Sequence, residues 1–489
     1  MKKKSNYSFL KVIVVIFIQL ISINVSIGQN KAEQIDKLMS QYSEYNQFNG
    51  TVLVADQGKV IYKKGFGMAN MEWGIPNQPD TKHRLGSVTK QFTALLILQL
   101  VEQGKLKLDV PISTYLPDYP KATGDKITIH QLLTHTSGIP NYTSFPNFFK
   151  TTSLNPYSPE AFVKLFSDLP LEFTPGQKFA YSNSGYFLLG YIIEKVSGKT
   201  YEQCLQESIF TPLMMNNTGY DRHETILKNR ASGYEKNGKN YINANYLDMS
   251  IPYSAGSMYS TVEDLYLWDQ ALYSDKLLSS KSRGLLFGSY ITAGTGHYGY
   301  GWIIDEITNG NPNEKLQVIE HGGGINGFNT LISRVPSDKT LVVLLNNTGR
   351  TVLKEMNEAI RAILYNKPYD MPKKSLANAL FEVIMDQGLA IGLEKLKEFK
   401  NSDNYALKEN EINTVGYQLL QSGKEKEAIA VFKLNVEAFP KSGNAYDSLG
   451  EAYLKDGNKK LAIINYKKAV ELDPGNENGK KVLEEISKS

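Results

Sequence analysis

Ser87 and Lys90 are the residues whose types and spacing could do covalent chemistry, within the run Ser87-Val88-Thr89-Lys90. A serine hydroxyl is a weak nucleophile until a neighbouring group takes its proton. Side chains three apart on a helix share a face and can touch. A lysine on a buried helix is pushed toward its neutral, basic form. On an exposed helix such a pair would be an ordinary solvated contact. Here the following residues Phe92, Leu95, Leu96, Ile97, Leu98, Leu100 and Val101 cover nearly the whole circumference up to Gly104. A helix apolar all round is a buried one. A serine at its N-terminus also lies beside free backbone N–H groups that can stabilise an oxyanion.

Two further elements follow in order. Tyr181-Ser182-Asn183 sits in a polar, glycine-rich stretch after Pro175-Gly176. A phenol held beside an ammonium gives up its proton more easily and can relay protons. His321-Gly322-Gly323-Gly324 precedes a strand expected from Phe328. Glycines there would let a substrate lie against the strand, and the Gly324 N–H could complete an oxyanion hole. His135 reads as a packing or hydrogen-bonding residue, and His83 precedes the helix and points elsewhere. The six histidines are scattered without a His-Glu-x-x-His pattern, so neither a metal nor a cofactor is expected. There is no Gly-x-Ser-x-Gly elbow and no phosphate-binding glycine loop.

These three motifs resemble those of the serine β-lactamase and penicillin-binding-protein superfamily. The tyrosine of the second motif is similar to the class C branch with its D,D-peptidase and esterase relatives. So are the stretches Leu132-Leu133-Thr134-His135-Thr136-Ser137-Gly138 and Ala255-Gly256-Ser257-Met258-Tyr259-Ser260-Thr261, with Asp264, Leu265 and Trp268 behind. The resemblance covers about residues 31–365 and implies a role for each residue. Ser87 would attack a carbonyl and form an acyl-enzyme. Lys90 and Tyr181 would share general-base work. Asn183 would hold the substrate amide and orient Lys90. Gly323 would lie along the substrate, the N–H groups of Ser87 and Gly324 would form the oxyanion hole, and His321 would face the substrate. β-Lactamases usually carry lysine where His321 stands. A histidine is mostly neutral near pH 7, which favours D-peptidases and esterases over a dedicated β-lactamase.

The elements that must position these residues are legible in outline. Residues 31–45 read as a helix. Gly50–Ala55 and Lys59–Gly65 read as a hairpin, turned at Asp56-Gln57-Gly58. Helical patches lie near residues 159–166, 184–196 and 262–272. Residues 328–335 and 340–346 read as strands joined at Pro336-Ser337-Asp338-Lys339, and 352–365 as a helix. Strands at both ends around helices suit an α+β domain. Its antiparallel sheet would join first and last strands, with a helical region inserted. After a linker at 366–374, no strand is expected. A period of 34 aligns Tyr446, Leu449, Gly450, Tyr453, Gly457, Ala462, Tyr466, Ala469 and Pro474 with Ile412, Val415, Gly416, Leu419, Gly423, Ala428, Phe432, Asn435 and Pro440. That is tetratricopeptide spacing. Residues 375–408 read as a degenerate first helical pair. The domains are thus a leader at 1–28, a β-lactamase-like hydrolase domain at 29–367 and an all-α repeat domain at 368–489.

The leader reads as a secretory signal, with Lys2 to Lys4, an apolar core from Val12 to Leu20, and Ser26-Ile27-Gly28 before Gln29. Of the 54 basic residues four lie there, leaving 50 against 50 acidic ones. A basic nucleic-acid surface is therefore not indicated. No later segment is apolar enough to span a membrane, and the single cysteine, Cys204, permits no internal disulfide. The leading reading is an exported serine acyl-hydrolase, periplasmic or secreted, acting on a small ester, amide or D-amino-acid peptide. The rivals are a true β-lactamase and a non-catalytic peptide-binding module whose repeats recruit a protein partner.

Overall fold

A computed structural model of the chain describes residues 30–237, 240–308, 315–349, 351 and 353–488. The leader reading lies outside the described residues. The chain divides into two units. One holds residues up to Glu235 together with Asn243 to Asp370; the other holds Lys236–Ile242 and Met371 onward. The linear boundary at 367/368 does not express that the short segment Lys236–Ile242 falls in the second unit.

The first unit is built on an eight-stranded antiparallel sheet. Its strands are β1 (Gly50–Asp56), β2 (Lys59–Phe66), β3 (Ile291–Ala293), β4 (Gly296–Tyr298), β5 (Ile303–Thr308), β6 (Lys315–Ile325), β7 (Phe328–Val335) and β8 (Thr340–Asn346), in the order β3-β4-β5-β6-β7-β8-β1-β2. First and last strands meet as the sequence predicts, with Gly50 opposite Asn346 and Ala55 opposite Leu341. The β1–β2 turn runs through Gln57 at φ 51° and Gly58 at φ 76°, the left-handed backbone that a two-residue hairpin needs. Two differences stand out. Strands β3 to β5 carry no clear alternation and are not predicted. The His321–Gly324 run lies inside strand β6, which is not predicted because three consecutive glycines erase the alternating pattern that marks a strand.

Helix α1 (Thr89–Glu102) is buried along nearly its whole length. Phe92 stacks on Trp268 with ring centroids 4.1 Å apart. Each such large apolar side chain contributes about 1.5–3 kcal/mol when removed from water. Trp268 belongs to helix α2 (Val262–Ala271), which also carries Asp269. Asp269 accepts from Nε of Arg334 on β7 at 2.7 Å, and both side chains are almost fully buried. Removing one member strands the other's charge. Asp269→Ala is expected to lower the unfolding free energy by about 3–5 kcal/mol. Asp269→Leu combined with Arg334→Met should recover most of that loss in denaturant unfolding.

The second unit consists largely of helices, including Leu376–Gln387, Leu389–Lys400, Glu409–Gln421, Glu425–Ala438, Gly443–Lys455, Lys459–Leu472 and Glu477–Lys488. The small residues of the repeat do what their spacing suggests. A Cβ on Gly416 would strike the Phe432 ring, and one on Gly450 would press on Tyr466 at 3.0 Å. Pro440 and Pro474 follow the ends of second helices. Contrary to the expectation of no strands, Lys374–Ser375 and Tyr405–Ala406 form a two-residue parallel ladder. Among the described residues no helix is long and apolar enough to cross a membrane.

Candidate active site

Ser87 lies in a single 3-10 turn, Gly86–Val88, immediately before α1. The turn is seated against β6. Strand β5 leaves β6 at Glu320, opposite Ile303, whereas β7 pairs on to Ile325. One edge of residues 321–325 is therefore not laddered by β5, and Leu85, just before the Ser87 turn, sits on the face of β6 and β7 to which Gly323 and Thr330 point, its carbonyl accepting from the Thr330 hydroxyl at 2.7 Å. Two glycines permit the approach. Gly86 adopts φ 53°, and a Cβ on it would lie 2.9 Å from the Gly324 nitrogen. A Cβ on Gly323 would collide with the Leu85 carbonyl and the Thr330 hydroxyl.

Gly323→Ala is therefore expected to push β6 off the Ser87 turn. A displacement of that size at reacting atoms costs about a hundredfold in rate, to be read as kcat/KM on an activated ester. Gly322→Ala is the comparison, because its Cβ would meet only the Thr330 carbonyl, at 3.6 Å.

Lys90 is fully buried. Its Nζ donates to Ser87 Oγ at 3.0 Å, Asn183 Oδ1 at 2.8 Å and the Ala255 carbonyl at 2.9 Å. It also lies 4.8 Å from the Tyr181 ring centroid and 5.5 Å from that of Tyr186. Burial holds its pKa well below the ordinary lysine value. Asn183 opens the helix α3 (Asn183–Ser197), capped by the Ser182 hydroxyl, and its own N–H donates to Asn141 Oδ1 at 3.1 Å. Tyr181 is hydrogen-bonded to Ser87, but burial outweighs that bond and raises its pKa. The phenol thus keeps its proton and is not the easily ionised group expected beside an ammonium.

His321 is not among the residues that line the cavity. Its ring is buried, with Nε2 at 2.9 Å from the Tyr298 hydroxyl and Nδ1 at 2.6 Å from the Gly322 carbonyl. Burial, then the nearby Lys90 charge, lower its pKa to about 4. It is neutral near pH 7. Gly323 is likewise buried against Leu85, while Gly324 lines the cavity with Ser87 and Asn183. That cavity measures about 400 Å³. Tyr142, Phe148 and Phe149 close one side; Leu247 and Ile251 lie in its wall. The lining residues thus come in part from residues 141–156 and 221–253. Among the described residues no cluster of His, Cys, Asp or Glu is placed to hold a metal.

A serine, a buried lysine and a capped asparagine meeting at a glycine-edged strand can be compared with known proteins. The model of the beta-lactamase family matches residues 35–365. The chain belongs to the beta-lactamase family. A tetratricopeptide-repeat model matches residues 443–476 of this beta-lactamase-family chain. Penicillin-binding protein 4* of Bacillus subtilis is 33% identical over 366 residues, covering 71% of this chain and 79% of that protein. The penicillin-binding protein of Bacillus halodurans superposes with a TM-score of 0.60 at 30% identity, over 67% of this chain and 98% of that one. A D-stereospecific amidohydrolase from Streptomyces sp. gives 0.54 at 26% identity, over 63% and 92%.

Sequence reasoning missed Tyr298, which lies on an unpredicted strand, and left His135 as a packing residue. The Asn326-Gly327 pair, a hairpin signal, could have located the end of β6, since Gly327 turns at φ 75°.

Proposed function

We propose that the chain is an exported serine acyl-hydrolase, periplasmic or secreted, forming an acyl-enzyme at Ser87. Its substrate would be a small ester, amide or D-amino-acid peptide. The observation that carries this is the Lys90 amine, buried and shared between Ser87 Oγ and Asn183 Oδ1 at the wall of the cavity. In the neutral amine the two N–H bonds go to Asn183 Oδ1 and the Ala255 carbonyl, and the lone pair faces Ser87 and takes its proton as Oγ bonds to the carbonyl carbon. The oxyanion forms beside the N–H groups of Ser87 and Gly324. The proton reaches the leaving group through the Tyr181 hydroxyl, which ends the step protonated. Asn183 orients Lys90 and offers its amide to the substrate. Water then attacks the acyl carbonyl, the acid departs and Ser87 regains its proton.

The choice of substrate class rests on His321. Neutral near pH 7, it supplies no cation to a substrate carboxylate. The likeness to a D-stereospecific amidohydrolase supports the same reading. The helical unit serves a protein partner in this proposal, since repeats of this kind present binding surfaces. Intact-mass spectra after exposure to an activated short-chain ester and, separately, to a penicillin test the proposal. Turnover of the ester with a transient acyl adduct supports it. Rapid penicillin hydrolysis would favour a β-lactamase, and a folded chain inert to both would favour a peptide-binding module.

A further inference from the structure

Behind Tyr181 lies a chain of polar groups that the proposed reaction does not use. Ser182 N–H donates to His135 Nδ1 at 3.1 Å. His135 Nε2 lies 3.2 Å from the Tyr298 hydroxyl, which lies 2.9 Å from His321 Nε2. His321 Nδ1 meets the Gly322 carbonyl at 2.6 Å. All three side chains are buried.

Hydrogen-bond chemistry leaves one arrangement of protons. Gly322 O can only accept, so His321 carries its proton on Nδ1. Ser182 N–H can only donate, so His135 carries its proton on Nε2. Burial lowers both histidine pKa values, and the Lys90 charge lowers them further; neutral rings have one proton each. His135 therefore donates to Tyr298, and the Tyr298 hydroxyl, which is also within hydrogen-bonding reach of Tyr186, has the unprotonated His321 Nε2 as an acceptor at 2.9 Å. The titratable groups facing these rings are Lys90, Tyr181, Tyr186 and Tyr298.

The chain ends at two consequential places. Ser182 follows Tyr181, and the His135 ring lies 4.2 Å from the Tyr181 ring between centroids. Gly322 precedes the glycines that carry β6 to Gly324. His135 also holds a left-handed backbone, φ 58°, which costs a non-glycine residue and persists where surroundings impose it. Resting on the hydrolase reading above, we propose that His135, Tyr298 and His321 are positioning residues. They form a neutral, one-directional strut that sets the spacing between the Tyr181 relay and the Gly324 oxyanion donor.

The test uses the full chain and an activated ester. Tyr298→Phe removes the hydroxyl and breaks the strut at its centre. The expected result is a loss in kcat of about ten- to a hundredfold with KM little changed. His321→Leu should behave alike, and the double variant should be no worse than either single one, because both break one unit. His321→Gln, able to accept and donate at the same places, should retain more activity than His321→Leu. In the unmodified protein, long-range proton–nitrogen NMR of labelled histidines should show His321 protonated on Nδ1 and His135 on Nε2, both neutral near pH 7. A folded Tyr298→Phe with kcat within about twofold of the parent, or the opposite tautomers, would overturn the strut. If the parent forms no Ser87 adduct, the hydrolase reading itself fails, and the strut as a catalytic device fails with it.

Discussion

Ser87→Ala is expected to remove every acyl adduct and to lower turnover by about a million-fold, the scale seen when a nucleophile acting as part of a unit is lost. The change deletes one oxygen at the cavity wall. Lys90 keeps its bonds to Asn183 and the Ala255 carbonyl, so the unfolding free energy should stay within about 1 kcal/mol of the parent. That separation of activity from stability is the point of the experiment. An adduct persisting in Ser87→Ala would place the nucleophile elsewhere, and equal turnover would remove the acyl-enzyme altogether. Intact mass and ester hydrolysis on the same sample read both.

Lys90→Met should cost about a hundred- to ten-thousandfold in acylation, the usual contribution of a positioned general base. It also has a signature in stability. Burial lowers the Lys90 pKa in the folded chain, so between the folded and unfolded values the unfolded chain binds a proton that the folded chain does not. Stability therefore rises with pH across that window, by at most about 1.4 kcal/mol per unit, up to the unfolded value near about 10.4. Below the folded value both states bind the proton, and the slope from this group vanishes. In Lys90→Met the slope should be missing throughout. Urea unfolding at several pH values measures it, and an unchanged slope would mean that Lys90 is not the depressed group.

Much of this was legible in the chain. The all-round apolar character of residues 92–101 announced a buried helix, and α1 is buried almost throughout. The hairpin at Asp56-Gln57-Gly58 and the strand pair flanking Pro336 were readable from turn chemistry. The repeat period identified the helical pairs because small and large residues must alternate where helices pack closely. Strands β3 to β5 were not legible, since short strands with weak alternation owe their conformation to the ladder they join.

At the site, sequence alone determined which residue types stood at which spacing: a serine and lysine one helical turn apart, a Tyr-Ser-Asn element and a glycine run. Local rules suffice for that, because helix periodicity and turn preference act over a few residues. Only the tertiary structure decided their electrical state and direction. Whether Lys90 is desolvated, whether Tyr181 keeps its proton and which way His321 points depend on side chains from distant segments. Tyr298, 23 residues from His321 and 163 from His135, makes the histidine of the third motif part of a buried, neutral hydrogen-bonded group. Burial and hydrogen-bond geometry are properties of the packed molecule, and no pattern along the chain encodes them.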